Sequence, residues 1–232
     1  MDTSSKNASY NSLLEVFLLP LATFVWIAES IYIDINAFKI LGLIWFILVF
    51  FISIPISIII SDFISGLVHW FCDSYGTKDT FLIGPLFIQN FRQHHLTPLG
   101  MCKSNFFGTI GHAALVASIL LGCHLLLLFL LPASTPIAVL SIILVWISFF
   151  GVLTNLFHKW SHQIHTSTWV KILQKSHVVL APKHHRVHHT PPFEHYYCIT
   201  TGWLNPLLER INFFPKMEKL LAKCHVYTTR DK

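Results

Sequence analysis

The sequence predicts an all-α protein, an integral membrane four-helix bundle with a cytoplasmic histidine-rich cap, formed as one domain over residues 1–232. Three observations predict it. Of the residues, 53% are hydrophobic and 12% charged, too little charge to cover a water-soluble domain of this size. Four stretches are apolar enough to cross ~30 Å of hydrocarbon, which takes ~20 helical residues. Thirteen of the fifteen histidines fall outside those four stretches.

The spans are expected roughly over 13–33, 40–60, 109–131 and 137–157, with the cap built from 61–108 and 158–232. Glu15 and Glu29 sit near the ends of the first, which leaves midspan positions apolar. The second continues without a break into Ser61–Trp70. The fourth follows a turn at Pro132–Pro136 and runs into His158–His162. Met1–Asn11 is polar and lacks a basic stretch followed by a small-residue cleavage site, so no cleavable signal peptide is expected. Four spans put both termini and the 61–108 loop on one side. Fifteen of the sixteen lysines and arginines lie there, and Lys39 alone lies opposite, which marks that side as cytoplasmic. The formal net charge of +5 then reads as attraction to an anionic leaflet, and no nucleic-acid motif or partner is expected. The five cysteines form no CxxC pair and read as free thiols in a reducing compartment. There is no internal repeat or low-complexity tract.

The histidines fall in clusters at the cytoplasmic ends of the spans. After the second span, Asp62, Gly66, His69 and Asp73 share one helical face, with Gly66 opening space beside His69 and Asp73. After the fourth, Asn155, His158 and His162 share another. The 61–108 loop carries Arg92-Gln-His94-His95, and the tail carries His184-His185-Arg186-Val-His188-His189. Pro182 suits a helix start there, and Pro191-Pro192 enforce a stop. His112, His124, His165, His195 and His225 read as isolated polar residues, with His124 hydrogen-bonded inside the bundle.

Zinc is satisfied by three or four ligands and would leave half of these imidazoles unused. Imidazole also suits iron, and a two-metal centre needs roughly eight to ten ligands. Helical pairs four apart present two nitrogens to one site, as in di-iron bundles. Such a centre suits oxidation of an unactivated C–H bond, which side chains alone cannot perform. A site at a membrane boundary suits a lipid, whose chain enters from the bilayer while its headgroup stays in the interface. A divalent-metal transporter is the reading from another class; it places ionisable ligands near the bilayer midplane, whereas these clusters cap the spans.

The run Ser61-Asp-Phe-Ile-Ser-Gly-Leu-Val-His-Trp-Phe-Cys-Asp73 resembles the opening motif of the Kua-type plasmanylethanolamine desaturases. His158-Lys-Trp-Ser-His162 and His185-Arg-Val-His188-His189 resemble the two histidine boxes of that family, and Cys198-Ile-Thr-Thr-Gly-Trp-Leu-Asn205 the segment after the second box. The similarity covers roughly residues 60–220. It implies an O2-dependent desaturase that forms the 1′ vinyl-ether double bond of plasmalogens from a membrane phospholipid. It also implies two iron ions and electrons from a small external carrier, cytochrome b5-like or ferredoxin-like. Carried over residue by residue, it implies His69, Asp73, His94, His95, His158, His162, His185, His188 and His189 as metal ligands and essential residues. The membrane would be the endoplasmic reticulum in a eukaryote or the inner membrane in a bacterium. One stretch departs: Asn105-Phe-Phe-Gly-Thr-Ile-Gly-His112 stands where the family has acidic and amide residues. A fatty-acyl lipid desaturase or hydroxylase of the same superfamily is the alternative within the enzyme class.

Supporting roles are expected as follows. Asp62 accepts a hydrogen bond from His69. Asp73 ligates metal or orients a ligating imidazole. Asn155 holds a metal-bound water or packs as a helix amide, and His177 and His184 are spare ligands. Arg92 and Arg186 pair with lipid phosphate or pack on the surface. The Lys216–Lys223 segment is an interfacial amphipathic helix.

Overall fold

The computed structural model describes residues 14–230, with side chains from Val16 onward. Met1–Asn11, Lys6, the expected span start at residue 13, the Glu15 side chain and Lys232 lie outside the described residues. Among the described residues all regular structure is helical. Four helices are long and apolar enough to cross a membrane: Val16–Leu41, Leu43–Ser74, Phe106–Leu130 and Thr135–His162. Their regular α segments are α1 (Leu19–Leu41), α2 (Leu43–Ser74), α4 (Phe106–Leu130) and α5 (Thr135–His162). Short helices follow in the remaining chain: α3 (Gln89–Leu96), α6 (Thr168–Lys175), α7 (Pro182–His188), α8 (Asn205–Arg210) and α9 (Phe213–Lys223). The chain divides into two compact units, Met1–Ser61 with Ser104–Leu156, and Asp62–Lys103 with Phe157–Lys232.

The first unit is the helical bundle. Trp26 and Ile33 of α1 pack with Ile110, Ala114, Ala117 and Leu121 of α4 and with Val145 and Val152 of α5. A second cluster joins Ala37 to Ala138 and Ile142, with Phe46, Phe50 and Trp146 around it. Small residues let the backbones approach, as suits helices that gain nothing from burying one apolar surface against another in lipid. A Cβ on Gly111 would lie 2.5 Å from Leu19 Cβ. Hydroxyls then stitch the helices together. Ser57 and Ser61 of α2 donate to the Ile143 and Ile147 carbonyls, and Trp26 Nε1 donates to Ser148 Oγ at 3.0 Å. His124 Nε2 lies 2.9 Å from Ser141 Oγ; that hydroxyl donates to Ile137, so the imidazole is the donor. Large apolar side chains face outward, with Ile44 72% and Phe129 89% exposed, a surface that hydrocarbon solvates and water does not.

The first helix overruns its expected end at Ile33. No helix breaker occurs before Gly42, where φ of +72° turns the chain. Asn36 folds its amide onto the Tyr32 carbonyl, so its polar group stays satisfied inside the helix. Residues 40–42 thus belong to α1 and its turn, and α2 begins at Leu43. Glu29 and Asp34 fall in the body of α1, which corrects the expectation of wholly apolar midspan positions. Gly122 makes room for Glu29, whose Oε1 lies 3.2 Å from where a Cβ would stand.

The second unit is the cap. Its apolar cluster comprises Trp70, Tyr75, Tyr197, Cys198, Leu208 and Phe214, with Met217 and Leu221 of α9 packed against it. The Lys216–Lys223 segment is helical as expected, and its apolar side serves this core. The buried stretch Tyr197–Thr201 has no regular structure, so its backbone polar groups need side-chain partners. Asn205 brackets Cys198, accepting from its N–H and donating to its carbonyl, both at 2.8 Å. Ser65 accepts from the Ile199 N–H. Asp62 accepts from the N–H groups of Thr201, Gly202 and Leu204 at 2.8–3.0 Å. Asp62 is therefore the anchor of this loop and not the acceptor for His69. Gly66 admits the same loop: a Cβ there would meet Cys198 Sγ at 2.5 Å. Its expected open space beside His69 and Asp73 is filled by Cys198.

The α1–α4 contact yields the first expectation. Gly111→Ala pushes a methyl into Leu19 and forces the two helices apart. It lowers stability by about 1–3 kcal/mol, read as a lower melting temperature in detergent. Gly151→Ala has no atom within 4 Å of its new Cβ and serves as the neutral control. Equal melting of both variants and wild type would exclude a close contact at Gly111.

Candidate metal centre

All nine residues singled out by the sequence lie in the cap unit, and they converge. The two long helices each supply residues one turn apart: His69 and Asp73 at the end of α2, His158 and His162 at the end of α5. The α3 helix supplies the adjacent pair His94 and His95. The α7 helix starts at Pro182 and ends at His188, before the two prolines, so His185, His188 and the following His189 project from one short turn. Ring centroids of His69 lie 6.0 Å from His95, 5.9 Å from His158 and 4.2 Å from His188.

Two sets of donor atoms stand out, each within 4.8 Å throughout. One joins His94, His158, His162, His185 and His189. The other joins His69, His94, His95 and His188, so His94 belongs to both. Asp73 Oδ2 enters the second set, 3.4 Å from His69 Nε2 and 3.6 Å from Nε2 of both His95 and His188.

Backbone carbonyls aim these nitrogens. His69 Nδ1 lies 3.1 Å from the Tyr197 carbonyl, and His188 Nδ1 lies 2.8 Å from the His195 carbonyl. His94 Nδ1 contacts the Phe91 carbonyl one turn earlier. A carbonyl oxygen only accepts, so each Nδ1 carries the proton and each Nε2 presents its lone pair inward. This is the arrangement by which outer groups orient metal-ligating histidines.

Hydrogen bonding among the imidazoles cannot account for the packing. His185 Nε2 lies 2.8 Å from His158 Nε2 and 3.0 Å from Nε2 of both His162 and His189. A ring nitrogen holds either one proton or one lone pair, so it satisfies one such contact and not three. His69 Nε2, His94 Nε2 and both Asp73 oxygens are buried without a hydrogen-bond partner. Nitrogens bound ~2.1 Å from one ion and at right angles stand ~3 Å apart, which is the spacing seen here. The residues fit a metal centre. No cysteine belongs to either set, and all five cysteines are unpaired.

Burial keeps the imidazoles neutral, the form that binds metal. Desolvation first, then neighbouring imidazoles, lower His95 to about 3, and desolvation lowers His189 to about 4. His188 is brought to about 3 mainly by desolvation, against the opposing pull of its bond to His195. The same cause holds His94 and His185 well below the usual histidine range.

The remaining candidates stand apart. His184 Nε2 receives the Asn205 amide, the His177 carbonyl receives Trp203 Nε1, and neither ring belongs to either set. Arg92 donates to the carbonyls of Cys72, Tyr75, Gly76 and Thr229, which makes it a brace for the chain around the end of α2 rather than a free phosphate ligand. Asn105 caps α4 by accepting from Gly108 N–H at 2.7 Å. Sequence reasoning missed Tyr197 and His195, which act through their carbonyls and so leave no signature of residue type.

Residues 58–232 match the family described as the lipid desaturase domain. Plasmanylethanolamine desaturase 1 of Mus musculus is 40% identical over 170 residues, 70% of this chain and 61% of the relative. Plasmanylethanolamine desaturase of Myxococcus xanthus is 38% identical over 166 residues, 70% of this chain and 57% of the relative. A probable fatty acid desaturase of Acanthamoeba polyphaga mimivirus is 31% identical over 173 residues, 74% of this chain and 82% of the relative. The chain thus spans about three fifths of the length of the mouse and Myxococcus relatives. No solved structure matches it. The domain match takes in most of the chain and all nine converging residues: the chain belongs to the lipid desaturase domain family.

Proposed function

We propose that this chain is an O2-dependent membrane lipid desaturase with a di-iron centre, forming the 1′ vinyl-ether double bond of plasmalogens from plasmanylethanolamine. The observation that carries the reading is the pair of imidazole sets joined through His94, with Asp73 in one of them. Nine nitrogen and oxygen donors exceed what one zinc ion uses, and a sulfur-free, imidazole-rich set suits iron. The names of the two ether-lipid desaturase relatives at 38–40% identity favour the ether substrate. The viral relative, at 31% identity and 82% of its own length, favours an acyl-chain desaturase as the second reading.

Iron, when bound, supplies the O2 activation that C–H removal requires. Overall, the alkyl chain loses two hydrogens, O2 becomes two waters, and an external carrier provides two electrons while two protons come from solvent. The chain's residues set the conditions. His69, His94 and His188 hold their Nε2 lone pairs inward because their Nδ1 protons are engaged by backbone carbonyls. Asp73 brings a carboxyl oxygen against three of the nitrogens, as a direct ligand or as an acceptor that orients a ligating imidazole. The buried Tyr197–Thr201 loop excludes water on the side of His69 and His188. Glu29 and Asp34 belong to neither set, which speaks against a transport reading. Fifteen of sixteen basic residues support a cytoplasmic cap, within reach of a small reduced carrier.

Expression in a host lacking vinyl-ether lipids tests the function. Acid treatment of extracted lipids should release long-chain aldehydes, whereas a new double bond confined to acyl chains would select the second reading. In that host His188→Ala abolishes aldehyde release and lowers bound iron about 10–100-fold in affinity, while His225→Ala leaves both near wild type. Equal loss in both variants would trace the effect to fold damage.

Asp73→Ala should also abolish activity. Asp73→His divides the two roles: retained iron supports a direct ligand, and loss of iron with a displaced His69 supports an acceptor that orients that imidazole. Full activity in Asp73→Ala would remove this residue from the centre.

Protonation gives a third test. His95, His188 and His189 bind protons less readily folded than unfolded, where their value is near 6.5. Their contribution to stability is complete above about pH 6.5 and declines as pH falls toward 3–4. Metal-free protein should therefore melt at lower temperature at pH 5 than at pH 7.5, with iron loading reducing the difference. A flat or opposite profile would contradict neutral buried imidazoles.

A further inference from the structure

We propose that Arg230 is a positioning residue for one half of the metal centre, the half formed by His69, His95, His188 and Asp73. The proposal rests on the metal-centre reading above. Arg230 lies far along the chain from every histidine cluster, and its side chain is 17% exposed. Its guanidinium reaches four side chains on three elements: the end of α2, the irregular segment 194–197 and α9. One nitrogen donates to Glu194 Oε1 at 2.9 Å. The other, which carries two N–H groups, lies within hydrogen-bond reach of Tyr197 Oη at 2.9 Å and of Ser74 Oγ and Glu218 Oε1.

Three of those four partners adjoin the groups that set the site. Ser74 directly follows Asp73, whose Oδ2 touches three imidazoles. Tyr197 supplies the carbonyl that holds His69 Nδ1–H. Glu194 directly precedes His195, whose carbonyl holds His188 Nδ1–H. The fourth, Glu218, also accepts from Trp70 Nε1 at 2.9 Å, and Trp70 directly follows His69. A planar fork with five N–H donors can tie these elements at fixed angles, as a lysine ammonium cannot. Thr229 extends the tie, donating its N–H to the Ser74 carbonyl at 2.7 Å and accepting from Arg92, two residues before His94. None of these bonds involves His158, His162, His185 or His189. The geometry therefore points to an effect on one metal position and not on both.

Cobalt(II) titration of the metal-free, full-length protein in detergent tests this, with the d–d absorption bands reporting coordination. Wild type should bind two equivalents. Arg230→Ala should keep one tight equivalent and weaken the other about 10–100-fold, with altered bands for the weak site only. Arg230→Lys, which keeps charge but not the fork, should fall between them. Two wild-type affinities in Arg230→Ala, or equal weakening of both sites, would overturn the proposal. If Arg230→Ala loses helical content, Tyr197→Phe decides, since it removes only the hydroxyl. Selective weakening of one site then supports the proposal, and unchanged binding overturns it. A wild-type protein that takes up no cobalt would overturn the metal-centre reading and this proposal with it, a result distinct from the others.

Discussion

Packing eight imidazoles, five of them buried, and a carboxyl group against one another is the constraint on which the cap depends. His69, His94, His158, His185 and His188 lose their water, and no distribution of single protons satisfies His185 Nε2, which meets three other ring nitrogens at 2.8–3.0 Å. Their mutual approach fits a set of metal ligands better than a hydrogen-bonded network. Desolvation accordingly holds His95 and His188 far below the usual histidine range, which keeps their lone pairs free. The same property that makes the metal-free cluster costly makes it a strong ligand set.

The rest of the cap serves to hold that cluster in register. Its main device is an irregular loop, not another helix. Tyr197–Thr201 runs buried beside α2 and has no regular structure. Because the loop lacks a backbone ladder, Asp62, Ser65 and Asn205 supply its partners. Gly66 allows it to approach. The loop then turns the Tyr197 carbonyl toward His69. The chain after the second histidine box thus presents a carbonyl to His69, and its Asn205 braces the backbone that does so.

The bundle answers a different solvent. Its outward faces carry large apolar side chains, and its interior gains cohesion from close backbone contact at Gly111 and from hydroxyl bonds such as Ser57 to Ile143. Glu29 and Asp34 within α1 are exceptions to its apolar character, and they stand outside both sets of metal-binding atoms.

Hydropathy and histidine spacing were enough to read the four long helices and the clusters that converge, for a physical reason, while the set of nine residues came from the family resemblance. Spans announce themselves by length and apolarity, and ligand pairs four apart on a helix must share a face whatever surrounds them. Pro182 and the two later prolines likewise bounded α7 through local backbone chemistry. Tertiary structure alone decided the supporting roles. Asp62 shares a face with His69 yet turns to the 201–204 backbone, because three unpaired N–H groups there outcompete one ring nitrogen. Arg92 binds carbonyls, and Arg230 gathers four distant acceptors. Tyr197 and His195 contribute through oxygens that every residue possesses. Such contacts join segments remote in sequence and use groups common to all residues, so only the folded chain can select them.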